Sequence, residues 1–250
     1  MRRCAALAMA CLGAAACSSG PVARWREPRT GMEFALLSGG RFTMGTPPDE
    51  PRREVQEREH EVTLSHPFYL GRTEVTQGQW ALVMGSNPSA FPECGPDCPV
   101  ETVSALGVDA FLARFAELTG ERFRLPTEAE WEYACRAGTR TAYAALETLD
   151  ATRASFDRRS PSRVASFSPN GWGLFDMHGN VWEWTADESC PYPEGPSVDP
   201  VGRCAADRRV IRGGSWAFGA DSARCGLRYT HAPGDSGYSL GFRVVRELNP

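Results

Sequence analysis

The chain contains no lysine: all 27 of its basic side chains are arginine, set against 31 acidic ones. Without an ε-amino group there is no Schiff-base nucleophile, no lysine general base and no P-loop lysine to reach a nucleotide's phosphates. A formal net charge of -4 leaves no basic footprint, so no nucleic acid partner is expected. Histidine is also scarce, with only His60, His66, His178 and His231. His60-Glu61-Val62 has no second histidine one helical turn on and is not a zinc-protease motif. Gly234-Asp-Ser-Gly237 has the form of a chymotrypsin-like nucleophile loop, but no histidine stands in a matching context to act as base for Ser236.

No apolar run is long enough to span a bilayer, which takes about 20 residues. Arg2 and Arg3 precede a shorter run from Ala5 to Ala16, the pattern of an export signal. It ends in Ala14-Ala-Ala16-Cys17-Ser-Ser-Gly20, where Cys17 matches the lipid-accepting cysteine of a bacterial lipobox. Ala14 stands where leucine is usual, and the same alanines suit ordinary signal-peptidase cleavage. The expected organisation is a signal peptide over 1–16, a lipidated Cys17 with a polar tether over 17–31, and one domain over 32–248. The expected location is outside the cytoplasm, as a membrane-anchored lipoprotein or a periplasmic or extracellular protein.

Within the domain, Phe34–Leu37, Arg41–Gly45, Val62–Leu64 and Phe68–Leu70 read as short strands between turn residues. Three helices carry explicit punctuation. Thr76 and Gln79 form a capping box closed by Gly85; Val108, Phe111, Leu112, Phe115 and Leu118 recur at helical spacing up to Gly120; Thr127 and Glu130 cap a third helix running to Gly138. From Thr139 to Val210 the chain is rich in Gly, Pro, Ser and Asp. An irregular stretch of that length in a compact domain needs pinning by metal, disulfides or function.

Six fragments then occur in order: Gly39-Gly-Arg-Phe-Thr-Met-Gly45, Arg72-Thr-Glu-Val-Thr-Gln-Gly-Gln-Trp80, Arg124-Leu-Pro-Thr-Glu-Ala-Glu-Trp-Glu-Tyr133, Gly173-Leu-Phe-Asp-Met-His-Gly-Asn-Val-Trp-Glu-Trp184, Arg212-Gly-Gly-Ser-Trp216 and Gly241-Phe-Arg243. Together they resemble the formylglycine-generating enzyme (sulfatase-modifying factor) family. The resemblance implies an α+β fold related to C-type lectins, with little regular secondary structure. It also implies an activity: relatives oxidise a sulfatase cysteine to formylglycine with oxygen and copper(I) held by two thiolates, soft ligands suited to that ion.

In such relatives the thiolate pair lies between the Gly-Gly-Ser motif and a following Arg-Cys-x-x-Arg. Here that interval, Trp216 to Ala223 before Arg224-Cys225-Gly-Leu-Arg228, holds no cysteine, and Phe218 and Ala220 lie near the expected places. Copper(I) is therefore not expected. Trp182 and Ser215 remain as candidates for a vestigial pocket, with core packing and backbone hydrogen bonding as their plainer roles. The expected function is a binding or accessory module at the cell envelope, for a peptide, protein or glycan. The alternative is the oxidase itself.

Past Cys17, cysteines stand at 94, 98, 135, 190, 204 and 225, an even set that in an exported protein argues for disulfides. Six cysteines allow fifteen connectivities. Local spacing and the resemblance favour Cys94 with Cys98, Cys190 with Cys204, and Cys135 with Cys225, the last implied by the family pairing; a zinc site is the rival. The resemblance also implies calcium, with the Asp176 and Glu183 carboxylates and the Gly179 and Val181 carbonyls as ligands. Hard oxygen donors around a glycine turn suit that ion. A second family calcium site would fall near Ser155–Asp157, where serine replaces the usual asparagine.

Overall fold

The structure, a computed structural model, describes residues 22–248. The expected signal peptide and lipidated Cys17 lie outside the described residues. Among the described residues three small sheets, three α-helices and two short 3-10 helices make a mixed α+β domain. The first sheet is antiparallel, in the order β1 (Arg24–Arg26), β2 (Glu33–Leu37), β5 (Phe68–Gly71), β12 (Val245–Arg246) and β6 (Phe123–Arg124). The second holds β3 (Gly40–Met44), β4 (His60–Leu64) and β8 (Ser197–Val198), the last parallel to β4. In the third, β10 (Tyr229–His231), β9 (Arg209–Arg212) and β7 (Trp182–Glu188) are antiparallel neighbours, and β11 (Leu240–Gly241) joins β7 in parallel. No helix among the described residues is long and apolar enough to cross a membrane.

The helices start where their caps dictate. In α1 (Gln77–Met84) and α3 (Glu128–Arg136) the Thr76 and Thr127 hydroxyls accept from the Gln79 and Glu130 amides, whose side chains bond back to the cap amides. α2 (Ala105–Thr119) is capped by Ser104 and closed by left-handed Gly120. α3 ends one residue earlier than Gly138 predicts, on Ala137 at φ 46°. Segment 137–181 then runs without helix or strand.

Residues 24–31, expected to belong to a tether, are built into the first sheet and the turn behind it. Arg24–Arg26 pairs with β2, and Trp25 packs 5.2 Å from Phe34. Buried Glu27 accepts from the Arg29 and Thr30 amides and closes the turn into β2. The arginines on either side of Trp25 face solvent, so this strand buries a single apolar side chain and reads as polar linker.

Two large apolar clusters fill most of the interior, and a third, small one gathers Ala142, Tyr143 and Ala223. One gathers α1 and α2 around Trp80, Phe111 and Phe242, with Trp80 stacked on Phe111 at 5.1 Å. The other surrounds α3 and includes Trp131, Leu70, Cys135 and Cys225. Between them run buried arginine–carboxylate pairs: Arg212 binds Glu128 and Glu132, Arg228 binds Glu128, and Arg136 binds Glu132. The planar guanidinium meets carboxylates as a fork and tolerates dehydration better than an ammonium, which fits the absence of lysine.

Asp187, 5% exposed on β7, accepts from the Glu128 and Gly202 amides. Burial, then the neighbouring Glu128 charge, push its carboxyl up to about 6 from 3.8, against those hydrogen bonds. A carboxyl raised on folding stabilises the fold below its unfolded value and loses that contribution as pH rises through its folded value. Comparing urea unfolding of wild type and Asp187→Asn from about pH 4 to about pH 7 should show the wild type losing on the order of 2 kcal/mol that the variant does not. Parallel pH profiles would refute this assignment.

Candidate functional site

The segment after β9 turns sharply through Gly213 and Gly214 into Ser215 and Trp216. Gly214 sits at φ 72°, and a Cβ there would strike the Ser222 carbonyl, so only glycine permits the turn. Ser215 is fully buried; its Oγ accepts from the Ala217 amide at 3.4 Å and its carbonyl accepts from the Phe218 amide. Trp182 is 6% exposed and belongs to the first apolar cluster. Its ring meets Phe218 edge-on at 6.0 Å and Tyr229 at 5.9 Å. Phe218 and Tyr229 are half exposed, at 50% and 56%. Nearby, Trp216 packs between Phe91 and Tyr238, and Tyr238 is also open to solvent. An aromatic surface therefore stands where the resemblance places copper thiolates.

All six cysteines among the described residues are tied in disulfides: Cys94–Cys98, Cys135–Cys225 and Cys190–Cys204. These are the three favoured pairs. His178 lies against Cys135, with Nδ1 3.9 Å from its sulfur and 2.8 Å from the Ala223 carbonyl. Burial lowers its pKa to about 4, so the ring stays neutral.

The second feature is a group of carboxylates beneath the Asp176–Glu183 turn. Gly179, at φ 87°, lies so close to the Ser155 carbonyl that any Cβ would collide with it. Asp176 accepts from the Ala165 amide. Glu183 is fully buried, and its two oxygens accept from Arg243 at 2.6 and 2.7 Å and from the Trp131 indole at 2.7 Å. Glu74 is fully buried as well, and neither of its oxygens has a hydrogen-bond partner. Burial first, then the Asp176 and Glu183 charges, push Glu74 well above the usual carboxylate range, with Arg243 opposing. Asp176 is raised to about 6, chiefly by burial.

One guanidinium thus faces three carboxylates, and an orphaned buried carboxylate is costly unless a cation or proton meets it. Asp176 and Glu183 offer hard oxygen donors of the kind a divalent cation takes, whereas the Glu74 oxygens do not join them in one compact ligand group. Glu74 carries no assignment from the sequence, although it lies inside the Arg72–Trp80 fragment. An acidic residue between Thr73 and Val75, just before a capped helix, is the only local sign of it. At the second candidate calcium position Ser155 is buried and its hydroxyl lies 3.1 Å from that of Ser162, while Asp157 is exposed.

The family model of the sulfatase-modifying factor enzyme 1-like domain matches residues 22–248. The chain is 31% identical to the formylglycine-generating enzyme of Streptomyces coelicolor, over 94% of this chain and 95% of that protein. It is 38% identical to the serine/threonine-protein kinase pkn1 of Chlamydia pneumoniae over 87% of this chain, but spans only 38% of that kinase's length. Among solved structures, PvdO from Pseudomonas aeruginosa superposes with a TM-score of 0.82 at 32% identity, covering 92% of this chain and 99% of that one.

Proposed function

Because the chain belongs to the sulfatase-modifying factor (formylglycine-generating enzyme) family, yet presents an aromatic surface in place of its copper thiolates, we infer that it is a non-oxidase member. In this reading it is an exported envelope protein, held at the membrane by lipid on Cys17, whose aromatic surface takes a peptide, protein or glycan. The carrying observation is Phe218: its ring lies against Trp182 where a thiolate would be needed, and every cysteine among the described residues is engaged in a disulfide. Copper(I) requires soft ligands, and the donors left around Ser215 and Trp182 are hydroxyl and backbone oxygens. Three disulfides support an oxidising compartment outside the cytoplasm.

Calcium completes this reading. Asp176 and Glu183, with the Gly179 and Val181 carbonyls, would hold it, while the Glu74 carboxylate adds negative charge close by, and the ion would supply the charge that Arg243 alone does not balance. Its role is to brace the turn that leads into Trp182, not to activate oxygen.

The test is direct. The purified protein, supplied with copper(I), oxygen and a Cys-x-Pro-x-Arg peptide, should form no aldehyde above the protein-free control by mass spectrometry. Sustained turnover would establish the oxidase instead.

A further inference from the structure

We propose that this protein has a second binding site, away from the aromatic surface, for a small and mostly apolar alcohol in the cavity roofed by the Cys190–Cys204 loop. The cavity measures about 400 Å³, within the range of small-ligand pockets. Its floor is the inward face of the β3–β4–β8 sheet, where Met44, His60 and Ser197 line it. His60 and Val62 lie two residues apart on β4 and share a face; Ser197 is paired with Val62 and faces the same way. The roof loop contributes the apolar Pro191, Pro193, Pro200 and Val201, while charged groups on the wall, among them Asp187, Glu188, Arg203 and Arg228, are hydrogen-bonded within the protein.

The polar features of the floor are specific. His60 is 7% exposed, and its Nδ1 lies 3.3 Å from the Arg58 carbonyl. A carbonyl only accepts, so Nδ1 carries the hydrogen, and in the uncharged imidazole that leaves Nε2 with a lone pair. Nε2 is buried without a partner, and so is the Ser197 hydroxyl. The Tyr192 ring packs 4.7 Å from His60 and holds the imidazole in place.

One ligand hydroxyl answers both needs, donating to His60 Nε2 and accepting from Ser197 Oγ. Water offers the same two bonds but leaves the proline-lined roof without an apolar partner. A carboxylate has no hydrogen to give Nε2, and a hydrocarbon leaves both atoms unmet. The chemistry therefore selects an alcohol with a ring-sized apolar body. The disulfide that closes the roof loop, between residues 14 apart, holds the cavity's shape.

Phenol and cyclohexanol, titrated against toluene and methylcyclohexane by protein-observed NMR, separate the outcomes. The alcohols should bind at least about tenfold more tightly than their hydroxyl-free counterparts, because a site built to hydrogen-bond a hydroxyl rejects the analogue lacking it. That advantage should fall below about threefold in Ser197→Ala and in His60→Phe. The Cys190→Ser/Cys204→Ser variant should weaken every probe. Equal binding of alcohol and hydrocarbon to the wild type would overturn the proposal without recourse to any variant. So would an undiminished advantage in folded Ser197→Ala, or a crystal soaked in phenol with only water between His60 and Ser197.

Discussion

Replacing Cys135 and Cys225 together by alanine is expected to cost the domain about 4 to 5 kcal/mol, the largest loss from any of the three cross-links among the described residues. The bridge spans 90 residues of sequence, against 14 for Cys190–Cys204 and 4 for Cys94–Cys98. On the chain-entropy account a loop near 100 residues yields about 4.7 kcal/mol and one of 15 residues about 3. Urea midpoints of the three double variants should follow that order. Both sulfurs of the long bridge are fully buried in the cluster around Trp131 and Leu174, so lost packing adds to lost constraint. Non-reducing peptide maps should recover the Cys135 and Cys225 peptides joined. A double variant as stable as wild type would mean that the bridge adds nothing to packing already in place.

The position of this bridge also explains the irregular chain between α3 and β7. Segment 137–181 contributes no strand or helix, yet it begins two residues after Cys135 and ends at the carboxylate turn. Its two ends are thus fixed by a covalent link and by charge. The middle is held by single contacts, such as the Asn170 side chain on the Ala134 carbonyl and the Ala165 amide on Asp176.

Legibility followed the same physics. The helices were readable because caps and periodicity act within a few residues: Thr76, Ser104 and Thr127 bond to amides three positions on. Strand His60–Leu64 alternates in burial, and Glu33–Leu37 is visible as a short apolar run between turn residues. The two-residue strands Phe123–Arg124, Ser197–Val198, Leu240–Gly241 and Val245–Arg246 have no period to detect and exist only through distant partners. Trp25 was lost among arginines for that reason. At the site, the missing thiolates were visible as missing letters, whereas Glu74 was not visible as a partner of Asp176, because nothing local brings position 74 beside position 176.

That missed residue gives the sharpest test of the cation site. Calcium at about a hundred times its dissociation constant should stabilise the wild type by about 2.7 kcal/mol, a rise in melting temperature of about 5 to 10 °C for a domain of this size. Glu74→Gln should weaken the response while raising stability in chelator, because the amide removes a buried acidic group whose charge attracts the ion and keeps the shape. Opposite signs in the two conditions cannot come from general damage to the fold. Asp176→Asn, which removes a ligand, should lose the response altogether. Glu183→Ala is a poorer probe, since it strands the Arg243 guanidinium and the Trp131 indole that now share the carboxylate. Magnesium, which demands tighter octahedral geometry and dehydrates reluctantly, should substitute weakly. An unchanged calcium shift in Glu74→Gln would move the ion elsewhere and leave the buried carboxylate to be met by a proton.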